Sequence, residues 1–301
     1  MTRFRIIMLS ILSGISLALI GVTLGFGKRA GLRPIEIMLV GTGIGSLVFT
    51  GKHFCNRQAM PIPMHIWAWG VAGGIGQYLT MRGTGMAMQL GPLSPVWCAA
   101  SLGFIMVSFY SAVRYQERLN LMKSSALATG LGCVVVSAIT NSRGGGTINS
   151  FQGALGYGAV LLAIMVFNSL NSVAIKTLGM SAGVDQSDKS AHDNHRFFAV
   201  MYTTCFLMVL TDLLWNRNPN LALGTLLVFG LVAALGSTCG LALLAACASA
   251  PASLVYTLSG ITGIVTAALV SVLFLEEQAG IGWYVTIGLG VLSIVLGAIA
   301  R

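Results

Sequence analysis

Apolar runs of membrane-crossing length, each closed by polar residues or by Pro and Gly, recur ten times along the chain, at 5–26, 35–51, 65–88, 94–114, 122–140, 153–176, 197–215, 222–247, 252–274 and 281–300. A helix needs about 20 apolar residues to cross a hydrocarbon core of about 30 Å. The runs therefore predict an all-α integral membrane protein of ten transmembrane helices. Composition agrees: charged residues make up 8% of the 301 and the mean hydropathy is +0.85, whereas a soluble domain carries roughly a quarter charged residues. A soluble enzyme is excluded on these grounds.

In a soluble chain a net charge of +9 would point to nucleic acid. Here Lys and Arg sit between apolar runs, where the positive-inside rule places them, so the expected partners are the lipid bilayer and a small-molecule solute, with no nucleic acid. With the N-terminus cytoplasmic, that side collects Arg3, Arg5, Lys52, Arg57, Arg114, Arg118, Lys123, Lys176, Lys189, Arg196 and Arg301. The other side collects Lys28, Arg29, Arg33, Arg82, Arg143 and Arg217. The excess predicts that both termini face the cytoplasm, in a plasma membrane such as the bacterial inner membrane. The first run is too long for a signal-peptide core and lacks a cleavage site, so it reads as a retained helix.

No cofactor and no metal is expected. The six cysteines (Cys55, Cys98, Cys133, Cys205, Cys239 and Cys247) are scattered without metal-ligand spacing and read as small packing residues. The longest polar stretch, about 178–196, holds Asp185, Asp188, Asp193, His192 and His195 and reads as a solvated, mobile loop. Gly144 to Gly146, without the Lys-Ser/Thr of a phosphate loop, reads as a flexible turn.

A shift of 160 residues lays Gly76 on Gly236, Gly103 on Gly263, Ser111 on Ser271, Glu117 on Glu277 and Gly130 on Gly290, without a gap over three helices. The acidic pair ends helix four in one half and helix nine in the other. This predicts duplication of a five-helix unit, with boundaries 1–144 and 145–301. An odd number of crossings makes the second copy enter from the opposite face, so the repeats are inverted, a recurring plan of secondary transporters with the site at the repeat interface.

The segments TMRGTGMAMQLGPLSPVW (80–97), FYSAVRYQERLN (109–120) and VSVLFLEEQAG (270–280) resemble the drug/metabolite transporter superfamily, in its ten-helix branch built of two EamA-type units. Helix two departs from that pattern, carrying no Arg where many members have one. The resemblance implies a cavity between the halves, lined mainly by helices one, three, four, six, eight and nine and opened alternately to each side. It leaves the solute open, because the superfamily moves amino acids, drugs, sugar phosphates, nucleotide sugars and organic cations.

Arg82 stands out, because an ionised residue inside a span costs about 2.5–3.5 kcal/mol on insertion scales. It would either attract an anionic group of the solute or anchor helix three at the interface. Glu36, directly after Pro34, reads as a helix N-terminal acid, and Asp212, beside Trp215 and Arg217, as an interfacial anchor. The remaining candidates for a binding pocket are the polar and aromatic side chains within spans: Gln77, Tyr78, Trp97, Asn168, Asn171, Tyr202, Ser237, Thr238, Tyr256 and Ser259. Each would otherwise bridge two helices by a hydrogen bond. Small residues in the fifth and tenth helices, among them Gly130, Cys133, Gly290 and Ser293, suit close packing within a monomer or a homodimer.

The expected function is export of small zwitterionic or amphipathic metabolites, such as amino acids or drug-like compounds, by alternating access. A sugar-phosphate or nucleotide-sugar exchanger is the alternative within transport, and it calls for several inward cations. A membrane-embedded enzyme calls for an intramembrane nucleophile and base, yet His53, His65, His192 and His195 fall in loops or at span edges. A lipid scramblase calls for a groove open to lipid.

Overall fold

The computed structural model describes residues 3–55, 61–90, 93–114, 121–143, 151–181, 187–215, 223–247, 250, 252–275 and 280–299. Among these the regular structure is entirely helical: α1 (Arg3–Arg29), α2 (Pro34–Cys55), α3 (Met64–Leu90), α4 (Leu93–Ser101), α5 (Gly103–Arg114), α6 (Leu121–Arg143), α7 (Phe151–Ser181), α8 (Ser187–Trp215), α9 (Leu223–Ala246), α10 (Ala252–Leu273) and α11 (Ile281–Ile299). Segments of five of them, Phe4–Arg29, Pro34–Cys55, Leu155–Met180, Asp193–Trp215 and Leu223–Ala246, are long and apolar enough to cross a membrane. Leu258–Leu273 and Ile281–Ser293 are shorter apolar helices. Large apolar side chains such as Leu47, Leu155, Leu214, Leu235 and Leu269 face outward, a surface suited to lipid and not to water. Long apolar helices with outward-facing apolar side chains are compatible with an integral membrane protein.

Two of the expected boundaries are corrected. The single run 94–114 is two helices meeting at Leu102. There the Asn168 side-chain amide donates to the Ala100 carbonyl at 2.9 Å, and Gly103 lies flat against α7, where a Cβ would fall 3.2 Å from the Met165 carbonyl. A side chain engaging a helix carbonyl beside a glycine is an ordinary cause of a break. The polar stretch about 178–196 is not a loop where it is described: residues 178–181 belong to α7, and α8 begins at Ser187. Asp193 and Arg196 form an i,i+3 ion pair at 3.6 Å, and Lys52 Nζ of α2 lies 3.0 Å from His195 Nε2. Polar residues thus extend α8 beyond its apolar part. Glu117, Glu277, Gly144 to Gly146, Asp185 and Arg217 lie outside the described residues.

The α1–α2 hairpin explains why the basic residues of 28–33 sit where they do. Gly31 has φ +79°, Gly31 N–H donates to Lys28 O at 3.1 Å and Leu32 N–H to Gly27 O at 2.9 Å, the hydrogen-bond pattern of a glycine-terminated helix. Lys28 and Arg29, in the last turn of α1, then reach other helices: Lys28 Nζ donates to Met88 O in α3, and the Arg29 guanidinium to Leu275 O and, at 3.2 Å, to Phe274 O just past α10. Cations at helix C-termini satisfy orphan carbonyls and complement the dipole. Glu36 accepts from Arg33 N–H at 2.8 Å and from Arg33 Nε at 3.0 Å, which closes the start of α2.

Packing runs across the chain more than along it. α1 lies on α9 and α10, α2 on α8 and α9, α3 on α7 and α8, α4 and α5 on α7 and α10, and α6 on α11. Small residues let these helices approach. Cys98 Sγ and Cys133 Sγ are 3.3 Å apart, Cys133 reaches the Thr286 carbonyl at 3.1 Å, and Ser293 Oγ donates to Ala126 O at 2.6 Å, tying α4, α6 and α11 together.

Gly31 and Gly132 separate conformational from packing effects, since a Cβ at either meets nothing within 4 Å. Gly31→Ala is expected to destabilise by about 1–2 kcal/mol, because its backbone is left-handed. Gly132→Ala, inside α6, is expected to stabilise by up to about 1 kcal/mol. Thermal unfolding of the purified variants in detergent checks both signs.

Candidate functional site

A cavity lies where α1, α3, α4, α7, α9 and α10 converge, with Gly103 of α5 at its edge. Seven of the eleven residues singled out from the sequence line it: Gln77, Trp97, Asn168, Asn171, Ser237, Tyr256 and Ser259. Its volume is about 90 Å³, below the roughly 300–1,000 Å³ of sites for drug-sized ligands. It suits a small solute, and a larger one would need the helices to separate.

The helices place these side chains by their period. Gln77, Thr80, Met81 and Thr84 stand at i, i+3, i+4 and i+7 on α3, and Asn168, Asn171 and Ser172 at i, i+3 and i+4 on α7, so each set forms one face. Asn171 Nδ2 donates to Gln77 Oε1 at 2.7 Å across the α3–α7 contact. Tyr256 Oη donates to the Ser172 carbonyl at 3.0 Å, and Ser259 Oγ lies 3.4 Å from Ser13 Oγ, which itself donates to Gly240 O at 2.8 Å. The Trp97 ring covers Gly21 of α1, where a Cβ would fall 2.7 Å from Cε3. Among the described residues, no Lys, Arg, Asp or Glu lines the cavity.

Four candidates lie elsewhere. Arg82 and Tyr78 of α3 meet Asp212 of α8: Arg82 Nη1 pairs with Asp212 Oδ2, and Tyr78 Oη donates to the same oxygen at 3.1 Å. Tyr78 and Asp212 line an outward groove with Leu207, Met208, Thr211 and Trp215, and half of the Arg82 side chain is exposed. Arg82 is thus an ion-pair partner between α3 and α8. Tyr202 is buried in the α2–α8 contact, stacked on Phe49 with centroids 5.5 Å apart and rings 12° from parallel. The Thr238 hydroxyl turns back to Ala234 O at 2.7 Å. Lys176, also buried, donates to the Ala250 carbonyl at 2.8 Å, ahead of α10.

Sequence reasoning missed Thr80, Thr84, Ser101 and Ser172 as lining residues. The helical spacing from Gln77 and Asn168 carried the signal for three of them. Ser101 becomes legible only once the break at Leu102 is known.

The Arg82–Asp212 pair makes a stability prediction. Arg82→Ala and Asp212→Asn are each expected to lower the unfolding temperature, and the double variant to be less damaged than the sum, with a coupling of about 1 kcal/mol. Thr238→Ala is expected to change stability by no more than about 0.5 kcal/mol. A thermal double-mutant cycle reads these values.

No family model matches this chain, and no curated protein matches it. A solved structure described only as a crystal structure of a protein is similar over 96% of this chain and 96% of its own, with a TM-score of 0.65 and 16% sequence identity. At that identity the likeness shows the fold alone.

Proposed function

We propose that the chain is a secondary transporter of the drug/metabolite transporter superfamily, built of two inverted EamA-like five-helix repeats (1–144 and 145–301). It exports small zwitterionic or amphipathic metabolites by alternating access. In this reading α4 and α5 are one span, giving ten, and α1, α2, α3, α4/α5 and α6 correspond to α7, α8, α9, α10 and α11.

The observation that carries the reading is that the most extensive helix contacts between the halves obey this exchange. α1 against α9 becomes α7 against α3, α2 against α9 becomes α8 against α3, and α1 against α10 becomes α7 against α4/α5, while α2–α8 and α6–α11 map onto themselves. The atoms agree. A Cβ at Gly76 would lie 2.8 Å from Phe167 O and 3.2 Å from Leu170 Cβ, and one at Gly236 would lie 2.7 Å from Ser16 O and 3.3 Å from Leu19 Cβ. Both pairs of partners are separated by 151 residues. Gly70 meets Val200 and Gly230 meets Val40 in the same way.

A cavity bounded by both halves is what rocking of one half on the other would expose to each side in turn. It lies among the spans the resemblance implied. Its uncharged wall favours zwitterionic or weakly charged cargo over sugar phosphates, which need cations to offset their charge. In this reading both termini face the cytoplasm, which the excess of Lys and Arg on that side supports.

Purified protein in proteoliposomes is expected to exchange or accumulate at least one small zwitterionic metabolite. No movement of any solute across a broad panel, at any imposed pH gradient, would overturn the reading. Gly76→Leu and Gly236→Leu should each abolish transport by forcing apart equivalent contacts, and reporters fused to the two ends should fall on the same side of the membrane.

A further inference from the structure

We infer that the cavity reads its solute through a divided wall: an amide and hydroxyl face on α3 and α7, and an apolar face on α1 and α9. Together these fit a small solute of no net charge with adjoining hydrogen-bond donor and acceptor groups on an apolar body. The inference rests on the transporter reading for the correspondence of the two halves.

The correspondence makes the division visible. Asn168 and Asn171 of α7 occupy the positions of Leu17 and Ile20 in α1, at the separation of 151 residues fixed by the contacts of Gly76 and Gly236. Thr84 and Gln77 of α3 occupy those of Leu244 and Ser237 in α9. All eight line the cavity. Equivalent backbone positions thus carry amides and a threonine on one side and, Ser237 apart, aliphatic side chains on the other.

The polar face has unspent capacity. The 2.7 Å bond between Asn171 Nδ2 and Gln77 Oε1 leaves the Gln77 amide N–H groups as donors and Asn171 Oδ1 as an acceptor, and Oδ1 is buried without a partner among the described residues. Flipping both amides reverses the bond and leaves one donor group and one acceptor as before. Oδ1 lies against Gly73; a buried amide oxygen left unpaired is costly, and a solute that offers an N–H beside a C=O or carboxylate relieves it once α3 and α7 part enough to admit it. A net anion or cation finds no counter-charge on the lining among the described residues and loses its hydration uncompensated. The two charges of a zwitterion partly offset each other, and the amide face offers hydrogen bonds to what remains.

The test uses full-length protein in detergent and probes of related skeleton: leucine, 4-methylpentanamide, 4-methylpentanoate and 3-methylbutylamine. Leucine and the amide are expected to raise the unfolding temperature, and the anion and the cation to leave it unchanged. Gln77→Leu and Asn171→Leu should weaken leucine and amide binding about tenfold, the scale of a lost hydrogen bond or two. Leu244→Thr, on the apolar wall, should lower the preference for leucine over serine and keep the selection against charge. Equal stabilisation by the anion or the cation, stabilisation by none of the series, or an unchanged pattern in both amide variants would overturn the inference. If those variants do not fold, an unchanged leucine-to-serine preference in Leu244→Thr overturns it alone. Binding with this selectivity but without vesicle transport would sink the transporter reading and leave the divided wall standing, whereas transport indifferent to solute charge would do the reverse.

Discussion

Close approach of helix backbones at glycine is the contact on which the rest of this structure depends. Lipid tails are as apolar as leucine, so helices in a bilayer gain little by hiding apolar surface from one another and are held by van der Waals packing and hydrogen bonds. Gly76 against the Phe167 carbonyl and Gly236 against the Ser16 carbonyl set the separation of α3 from α7 and of α9 from α1. The next residues, Gln77 and Ser237, thereby come to line the cavity. The same contacts that hold the helices position the polar groups.

How much of this was legible in the sequence depends on which physical term each feature reports. Apolar runs report transfer from water to hydrocarbon, and they located the helices to within a few residues at most ends. They carry no information about a break inside a run, so the joint at Leu102 was invisible: it is made by Asn168, 66 residues away in sequence, and by the approach of Gly103 to α7. They also stop where polarity begins, so the first turns of α8, held by Asp193–Arg196 and by His195 against Lys52, looked like a loop. The match of Gly76 to Gly236 was legible because small residues are constrained by what they touch. Seven of the polar candidates converge on one cavity because helical period and span assignment fix a face. The partner of Arg82 was not legible, since Asp212 lies 130 residues away and only packing of α3 on α8 brings them together.

The charges divide by depth and by partner. Arg82 and Asp212 neutralise each other at the outward groove, Lys28 and Arg29 are spent on the carbonyls of Met88, Phe274 and Leu275, and Lys176 on that of Ala250. A chain with a net charge of +9 thus keeps ionised groups off the cavity wall among its described residues. Long-range attraction of anions by that net charge acts at the membrane surface and is screened within about 8 Å at physiological salt. Under the proposed transport function, selection inside the cavity has to come from hydrogen bonds and shape.

That requirement falls on the amides. Asn and Gln within a span are tolerated when they bond to each other or to backbone, as Asn171 does to Gln77 and Asn168 to Ala100, because the alternative is an unsatisfied polar group in hydrocarbon. Each of these bonds crosses between helices of different halves, so each is a contact that relative motion of the halves would stretch. Tyr256 to Ser172 joins two helices of the second half only. Motion that opened the α3–α7 contact would therefore free the Gln77 and Asn171 amides together and leave the Tyr256 bond intact, coupling exposure of the polar wall to the separation of α3 from α7.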